Sequence, residues 1–246
     1  MGLRFSANLG FLWADRPLPD AIRAAKAAGF DAVELHWPYE TPADEVKAAL
    51  DETGLPCLGL NTLRGETNGL SAIPGQTREA RAAIDRGIAY AREIGAGALH
   101  VMAGFAEGPQ AEAAFRENLA YACEAAPDLT ILIEPLNRYD APGYFLTTTG
   151  QAVVLIDALE RENLKLMFDC YHVQIMEGDL TRRFGEVRRA VGHVQFAGVP
   201  DRGPPDAGEI AFDRLLPALD WDGPLGAEYK PGEDTDVTLG WMSAFR

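Results

Sequence analysis

The sequence predicts an α/β protein, a single-domain (β/α)8 (TIM) barrel over residues 1–246, on three observations. Short apolar, β-branched runs alternate eight times with helical periodicities, as a parallel sheet with crossover helices requires. No linker, charge run or low-complexity segment interrupts the alternation, and barrels of this kind take ~250 residues. Four of the runs also end in one oxygen-bearing side chain. Thr130-Ile131-Leu132-Ile133 runs into Glu134, Leu164-Lys165-Leu166-Met167-Phe168 into Asp169, Val191-Gly192-His193-Val194 into Gln195, and Pro224-Leu225-Gly226-Ala227 into Glu228. Barrels of this architecture carry their chemistry where strands meet the following loops.

The first strand is read at residues 4–10, with Asn8 breaking its apolar character. Residues 17–28 are helical: Pro17 opens them, Ile22, Ala25 and Ala28 recur at three-residue spacing, and Gly29 stops them. The second strand spans 31–37, closed by Pro38, and the second helix 42–53, with Val46, Ala49 and Leu50 inward and Gly54 as stop. The third strand is 56–62. Residues 63–75 break the rhythm: polar, glycine-rich and too long for a turn, they are read as a loop over a site. A long helix at 76–94 sets Ala80, Ile84, Ile88 and Ala91 on one face and ends at Gly95. Strand 98–103, helix 109–126, strand 130–136, helix 148–161 and strand 164–169 follow. A helix lies within 173–190, then come strand 191–197, helix 212–219, strand 224–228 and a last helix at 237–245. A doubly wound sheet would carry a glycine-rich nucleotide turn after its first strand, and Gly10-Phe11-Leu12-Trp13 is not one.

Composition bounds the partners. Apolar residues at 47% and charged residues at 24% suit a globular chain with a sizeable core. A net charge of −15 leaves little for the basic face that phosphate binding needs, so no nucleic-acid partner is expected. No apolar run approaches the ~20 residues of a membrane span, so no membrane is expected, and Met1-Gly2-Leu3-Arg4-Phe5 shows no signal-peptide core. Cys57, Cys123 and Cys170, odd in number and widely spaced, read as free thiols, with the cytoplasm as the expected location. The composition admits a homo-oligomer without specifying one.

An ionised Glu134 at the end of a buried strand needs a cation, a metal or a proton. Three carboxylates converging on one barrel mouth repel, and a divalent ion is the simplest way to hold them charged. The donor set Glu134, Asp169, Gln195 and Glu228 is all oxygen, which favours Mg2+ or Mn2+ over Zn2+. Any one of these residues alone is more simply a strand-end group bonded to loop backbone; four in register on consecutive strands point to a site. His172, three residues after Asp169, is read as a substrate donor or a group behind the ligands. His36 and His100 sit near strand ends where core and site roles both stand open. His193 shares a strand face with Gln195 one layer deeper and is read as structural, and Cys170, without an evident base, as an inert buried thiol. Trp13, Trp37 and Phe105 fit pocket walls, though plain packing is the commoner role for strand-end aromatics.

These residues also resemble a known family. Ile133-Glu134-Pro135-Leu136-Asn137 with Pro142-Gly143-Tyr144, Asp169-Cys170-Tyr171-His172-Val173-Gln174 with Glu177-Gly178, Gly208-Glu209-Ile210, and Glu228-Tyr229-Lys230-Pro231 resemble the signature of the hydroxypyruvate isomerase family. That family lies among the xylose-isomerase-like barrels, with sugar epimerases and 2-oxo-tetronate isomerases. The resemblance runs from Phe5-Ser6-Ala7-Asn8 to Gly240-Trp241-Met242. It implies that Glu134 and Glu228 are the paired acid and base, that Glu134, Asp169, Gln195 and Glu228 surround a metal, and that the protein belongs to carbohydrate and glyoxylate metabolism. Phe196-Ala197-Gly198-Val199-Pro200-Asp201-Arg202 keeps the proline and arginine but lacks the Asn-Pro and histidine of close relatives, and the 63–75 loop differs in detail. Both departures bear on the substrate more than on the reaction type.

The expected chemistry interconverts an α-hydroxy ketone and an α-hydroxy aldehyde. Two carboxylates move a proton between neighbouring carbons, and a divalent ion stabilises the cis-enediolate. Arg202 is expected to bind the carboxylate of a small hydroxy/oxo acid; Lys230 does the same or makes a surface ion pair. The expected reaction is hydroxypyruvate to 2-hydroxy-3-oxopropanoate (tartronate semialdehyde), or the same step on a longer 2-oxo acid. A ketose 3-epimerase would use the same two glutamates, and a non-catalytic sugar-acid binding barrel would need no such pair. A clustered-zinc nuclease would want more than the four histidines present.

Overall fold

Eight parallel strands close around one axis in the computed structural model, which describes residues 2–245. They are β1 (Phe5–Asn8), β2 (Ala32–Glu34), β3 (Leu60–Asn61), β4 (Ala98–His100), β5 (Thr130–Ile133), β6 (Leu164–Asp169), β7 (Val191–Phe196) and β8 (Leu225–Ala227). Their order is β2-β1-β8-β7-β6-β5-β4-β3. The ring closes between its two ends: Val33 bridges Cys57 in parallel, Leu58 N–H donates to Val33 O, and Asn61 N–H donates to His36 O. Closure leaves no strand edge to be satisfied by another chain.

The helices follow the predicted punctuation. α1 (Leu18–Ala27) and α2 (Ala43–Thr53) start directly after Pro17 and Pro42, and α2 and α3 (Thr77–Ile94) end on left-handed Gly54 and Gly95. α4 is Gly108–Ala125 and α5 Thr149–Leu159, the latter capped by Thr148, whose side chain accepts the Gln151 N–H. Three expectations change. Most strands are shorter than their apolar runs, because the runs continue into loops that carry the site. The helix read within 173–190 is two: α6 (Cys170–Met176) leaves directly from Asp169, and α7 (Leu180–Val187) follows Gly178 and Asp179, both at positive φ, where an α-helix cannot continue. After α8 (Phe212–Ala218), the last predicted helix is a 3-10 helix, Thr235–Phe245. There the Thr238 and Ser243 hydroxyls donate to the carbonyls of Thr235 and Gly240, three residues back, in competition with the α ladder.

Alternation along the strands separates two environments. Outward residues meet the helices: Phe196 stacks edge-on against Trp241 at 5.4 Å between centroids and lies 5.5 Å from Phe212 and 5.9 Å from Phe5. Inward residues form layers inside the barrel. Ala98, Leu132 and Met167 make a small apolar cluster there, each two residues before His100, Glu134 and Asp169. The barrel interior is therefore apolar low on β4 to β6 and polar above. Among the described residues no helix is long and apolar enough to cross a membrane.

Phe196→Ala removes a fully buried ring from that outer aromatic cluster. Urea unfolding of the variant is expected to show a loss of about 3–5 kcal/mol, the usual cost of truncating a core aromatic; a loss under about 1 kcal/mol would mean the cluster closes over the gap.

Candidate active site

Asp169 and Gln195 are paired across β6 and β7 and so face the same way, into the barrel. Glu134 and Glu228 each lie one residue past β5 and β8, and all four side chains are buried. Glu134, Asp169 and His172 offer ligand atoms that all lie within 4.8 Å of one another. Glu228 is held by a different set: Asn8 Nδ2 at 3.1 Å, His36 Nε2 at 2.7 Å and an Arg202 guanidinium nitrogen at 2.6 Å. The same Arg202 nitrogen lies 3.4 Å from Asp169 Oδ2 and ties the two groups into one site. A cleft of about 380 Å3 opens above them, walled by Trp37, His100, Glu134, His172, Arg202 and Glu228.

Local backbone chemistry sets these positions. Arg202 has φ +55°, a left-handed conformation that costs a non-glycine residue about 1–2 kcal/mol. It is held by the Gly198–Gly203 bridge, by Lys230 N–H donating to Arg202 O at 2.7 Å, and by its own side chain's two carboxylates. Gly10 serves His36: a Cβ at that position would overlap the imidazole ring, so only glycine lets His36 reach Glu228.

Electrostatics divide the carboxylates. Burial, together with the charges of Glu228 and Asp169, raises Glu134 well above the usual range. Burial pushes Asp169 up to about 7 against the pull of Arg202. Glu228 is buried too, but Arg202 and His36 beside it outweigh that and hold it well below the carboxylate range. Burial also pushes His100 and His172 down to about 3, so both are neutral near pH 7.

The hydrogen bonds of His172 decide its tautomer. Its Nδ1 receives the backbone N–H of Asn137 at 3.0 Å, and the Asn137 side-chain nitrogen lies 2.8 Å away. A backbone N–H only donates, so Nδ1 is the acceptor and the proton of the neutral ring sits on Nε2. Nε2–H then points between Asp169 Oδ2, at 3.6 Å, and Glu134 Oε1, at 3.8 Å. The Glu134–Asp169–His172 cluster has the spacing of a metal centre, but in this tautomer the histidine turns an N–H toward it, not a lone pair.

The fit to a divalent ion rests on unsatisfied oxygen. Glu134 Oε1 and Gln195 Oε1 are buried without hydrogen-bond partners. Glu134 and Asp169 are pushed up by burial first and by the charge of Glu228 second, and Arg202 does not offset the two. Oxygen atoms from Glu134, Asp169, Gln195 and Glu228 are what a hard cation takes.

The sequence-read residues fall in three groups. Glu134, Asp169, Glu228, His172 and Arg202 come together. Gln195 stands in register with them, but its amide nitrogen is engaged below by Glu34 Oε2 at 2.7 Å, and it does not wall the cleft. Lys230 is exposed at the rim. His36 is a site residue, and His100, with Nδ1 3.7 Å from Glu134 Oε2, borders it. His193 lies below, 3.0 Å from Glu34 Oε1. Cys170 is buried, and burial pushes its thiol well up. Trp13 is core, edge-on to Phe30; Trp37 walls the cleft, with Arg64 over its ring at 5.2 Å; Phe105 lies outside it. Sequence reading passed over Ser6, Glu34 and Arg64 and gave Asn8 no role. The signal for three of them was present: Ser6 and Asn8, like Glu34 and His36, are polar at period two inside apolar strands, hence on one inward face.

Residues 22–245 match the family described as xylose isomerase-like TIM barrel. The chain is similar to 2-oxo-tetronate isomerase of Cupriavidus necator, 40% identical over 98% of each chain. It is also similar to hydroxypyruvate isomerase of Escherichia coli K12, 37% identical over 99% of this chain and 100% of that one. Among solved structures, a protein from Brucella melitensis described as an AP endonuclease of family 2 superposes with a TM-score of 0.94, at 36% identity and 100% coverage of both chains.

Glu134 and Asp169 are both raised, so protons compete with a divalent ion for their oxygens. Calorimetric titration of Mn2+ into chelator-stripped protein at pH 7 is therefore expected to release protons, seen as heats that vary with buffer ionisation enthalpy. Because falling pH refills these carboxylates, affinity should strengthen from pH 6 to pH 8. Flat affinity with buffer-independent heats would remove them as ligands.

Proposed function

The chain belongs to the xylose isomerase-like TIM barrel family, its relatives make it an isomerase of sugar-acid type, and we propose that it interconverts hydroxypyruvate and 2-hydroxy-3-oxopropanoate. The observation that carries this reading is the meeting of two buried glutamates in one cleft, Glu228 gripped by Arg202, His36 and Asn8 and Glu134 with an oxygen that has no hydrogen-bond partner. Two carboxyls facing one cleft from different strands can divide the removal and the return of a proton between them. Glu228, kept ionised by Arg202, His36 and Asn8, takes the proton from the hydroxyl-bearing carbon. Glu134 returns one drawn from solvent to the neighbouring carbon, Glu228 gives its own up to solvent, and the hydroxyl proton passes to the former carbonyl oxygen; the His172 Nε2–H donates to a substrate oxygen placed between it and the carboxylates. Glu134, Asp169, Gln195 and Glu228 would hold a divalent ion, Mg2+ or Mn2+, whose charge stabilises the oxygens of the cis-enediolate. Arg202, with Lys230 at the rim, draws in the substrate's carboxylate.

A longer 2-oxo-tetronate is the second reading, supported by the 40% identity to an enzyme of that name. A neutral ketose is disfavoured by the cations Arg64, Arg202 and Lys230 around the cleft. A binding barrel is disfavoured because burying two opposed carboxyls serves proton transfer and adds nothing to retention of a ligand. Phosphodiester cleavage, suggested by the name of the Brucella melitensis relative, is disfavoured by the net charge of −15 and the all-oxygen donor set. Incubation with hydroxypyruvate, 2-oxo-tetronates and neutral ketoses, with and without chelator, followed by NMR, tests the choice. Turnover of an oxo acid that chelator abolishes is expected; turnover of neutral ketoses alone would replace the acid reading.

Glu134→Gln and Glu228→Gln should each lower kcat by ~10²–10⁴-fold, with KM much less affected. In D2O the wild type should place solvent deuterium on the carbon that receives the proton. Direct transfer of the substrate hydrogen, with a nearly active Glu228→Gln, would exclude the two-carboxylate path.

Arg202 both holds Glu228 ionised and is assigned the substrate carboxylate. Arg202→Ala should raise KM steeply and shift the acid limb of kcat/KM to higher pH, since the lowered Glu228 rises once its partner is gone. Arg202→Lys should recover part of the loss. Wild-type KM with an unmoved acid limb would return Arg202 to a purely structural role.

A further inference from the structure

The proposed mechanism leaves one buried glutamate unused: Glu34 of β2, 4% exposed. It lies across the barrel interior from β7, with the small inward residues Ser6 of β1 and Gly226 of β8 between. Glu34 Oε2 accepts from Gln195 Nε2 at 2.7 Å. Its Oε1 accepts from Ser6 Oγ and sits 3.0 Å from His193 Nε2.

These contacts constrain the Gln195 amide. A carboxylate facing donors on both oxygens accepts and cannot donate, so Gln195 must turn its NH2 toward Glu34. The amide oxygen is thereby sent to the other side of the group, where it is buried and unpartnered, on the strand in register with Asp169. Reversing the amide would set its oxygen against the Glu34 carboxylate and aim an NH2 at the carboxylate cluster. The backbone is cleared for this contact as well. A Cβ at residue 226 would collide with Glu34 Oε1 and come within 2.8 Å of Gln195 Cγ, so glycine is what lets the two side chains meet.

We propose that Glu34 is a positioning residue: by accepting from Gln195 Nε2 it locks the amide with Oε1 presented to the ion position shared with Asp169, Glu134 and Glu228. This rests on the proposed role of Gln195 as an oxygen ligand. Glu34 touches neither substrate nor ion; it acts through the orientation of a neighbour, as groups behind metal ligands do.

The test is Mn2+ titration of chelator-stripped protein, with folding checked by circular dichroism. Glu34→Met keeps the volume and removes the acceptor, so the Gln195 amide is free to turn its NH2 inward; Mn2+ affinity should fall by about 10–100-fold. Adding Gln195→Glu should restore it to within about threefold, because a carboxylate presents an oxygen whichever way it turns, and the net charge equals that of the wild type. A role in barrel packing would not be rescued by that second change. Glu34→Asp, which keeps the charge but withdraws it by one methylene, guards against a misfolded methionine variant and should also weaken binding. Wild-type affinity in a folded Glu34→Met or Glu34→Asp, or no rescue in the double variant, overturns the inference while leaving the metal site standing. Failure of the wild type itself to bind Mn2+ overturns the metal reading and this inference with it.

Discussion

Unbalanced negative charge inside the barrel is the constraint on which the rest of the site depends. Glu34, Glu134, Asp169 and Glu228 are all buried, and Arg202 is the guanidinium that reaches two of them. Buried carboxylates resist ionisation unless a partner is supplied, and each here finds a different answer. Glu34 has the hydroxyl of Ser6, the amide of Gln195 and the neighbouring His193. Glu228 has Arg202, His36 and Asn8. Glu134 and Asp169 are left short and rise. The pattern gives the site one carboxylate that stays charged, two that seek a proton or a cation, and a neutral histidine whose N–H faces them.

The barrel tolerates this because stability and chemistry occupy different faces of the same strands. Phe5, Phe196 and Trp241 secure the outer face of β1 and β7, while the residues next to them in sequence, Ser6 and Gln195, face the polar interior. A one-residue slip of either strand would exchange the two sets, so the outer aromatic contacts also fix the register of the site. The apolar cluster of Ala98, Leu132 and Met167 does the same from below, seating His100, Glu134 and Asp169 two residues higher.

Similarity to the relatives spans the whole chain, which agrees with a site assembled from many strands rather than one motif. Residues on β1, β2, β4, β5, β6, β7 and β8, or just past their ends, all contribute. The loops above them also line the cleft: Arg64 lies over the Trp37 ring, and Arg202 reaches in from a turn held at positive φ.

The sequence by itself determined the architecture, since eight alternations of period-two and helical patterning with glycine stops leave few other folds. It also determined the strand-end carboxylates, because a charged residue closing an apolar run stands out without any structure: Glu134, Asp169 and Glu228 were legible on that ground. What pairs with what was decided only by tertiary structure. His36 and Glu228 are 192 positions apart, and Glu34 and Gln195 are 161 apart, and no local pattern couples residues at such distances until the ring closes. The splitting of the helix after Asp169 and the 3-10 form of the last helix were hidden for a similar reason: they turn on backbone φ at Gly178 and Asp179 and on hydroxyl-to-carbonyl bonds at Thr238 and Ser243. The division of labour among the glutamates was equally out of reach, because burial and the reach of one arginine set it, and both are properties of the assembled barrel.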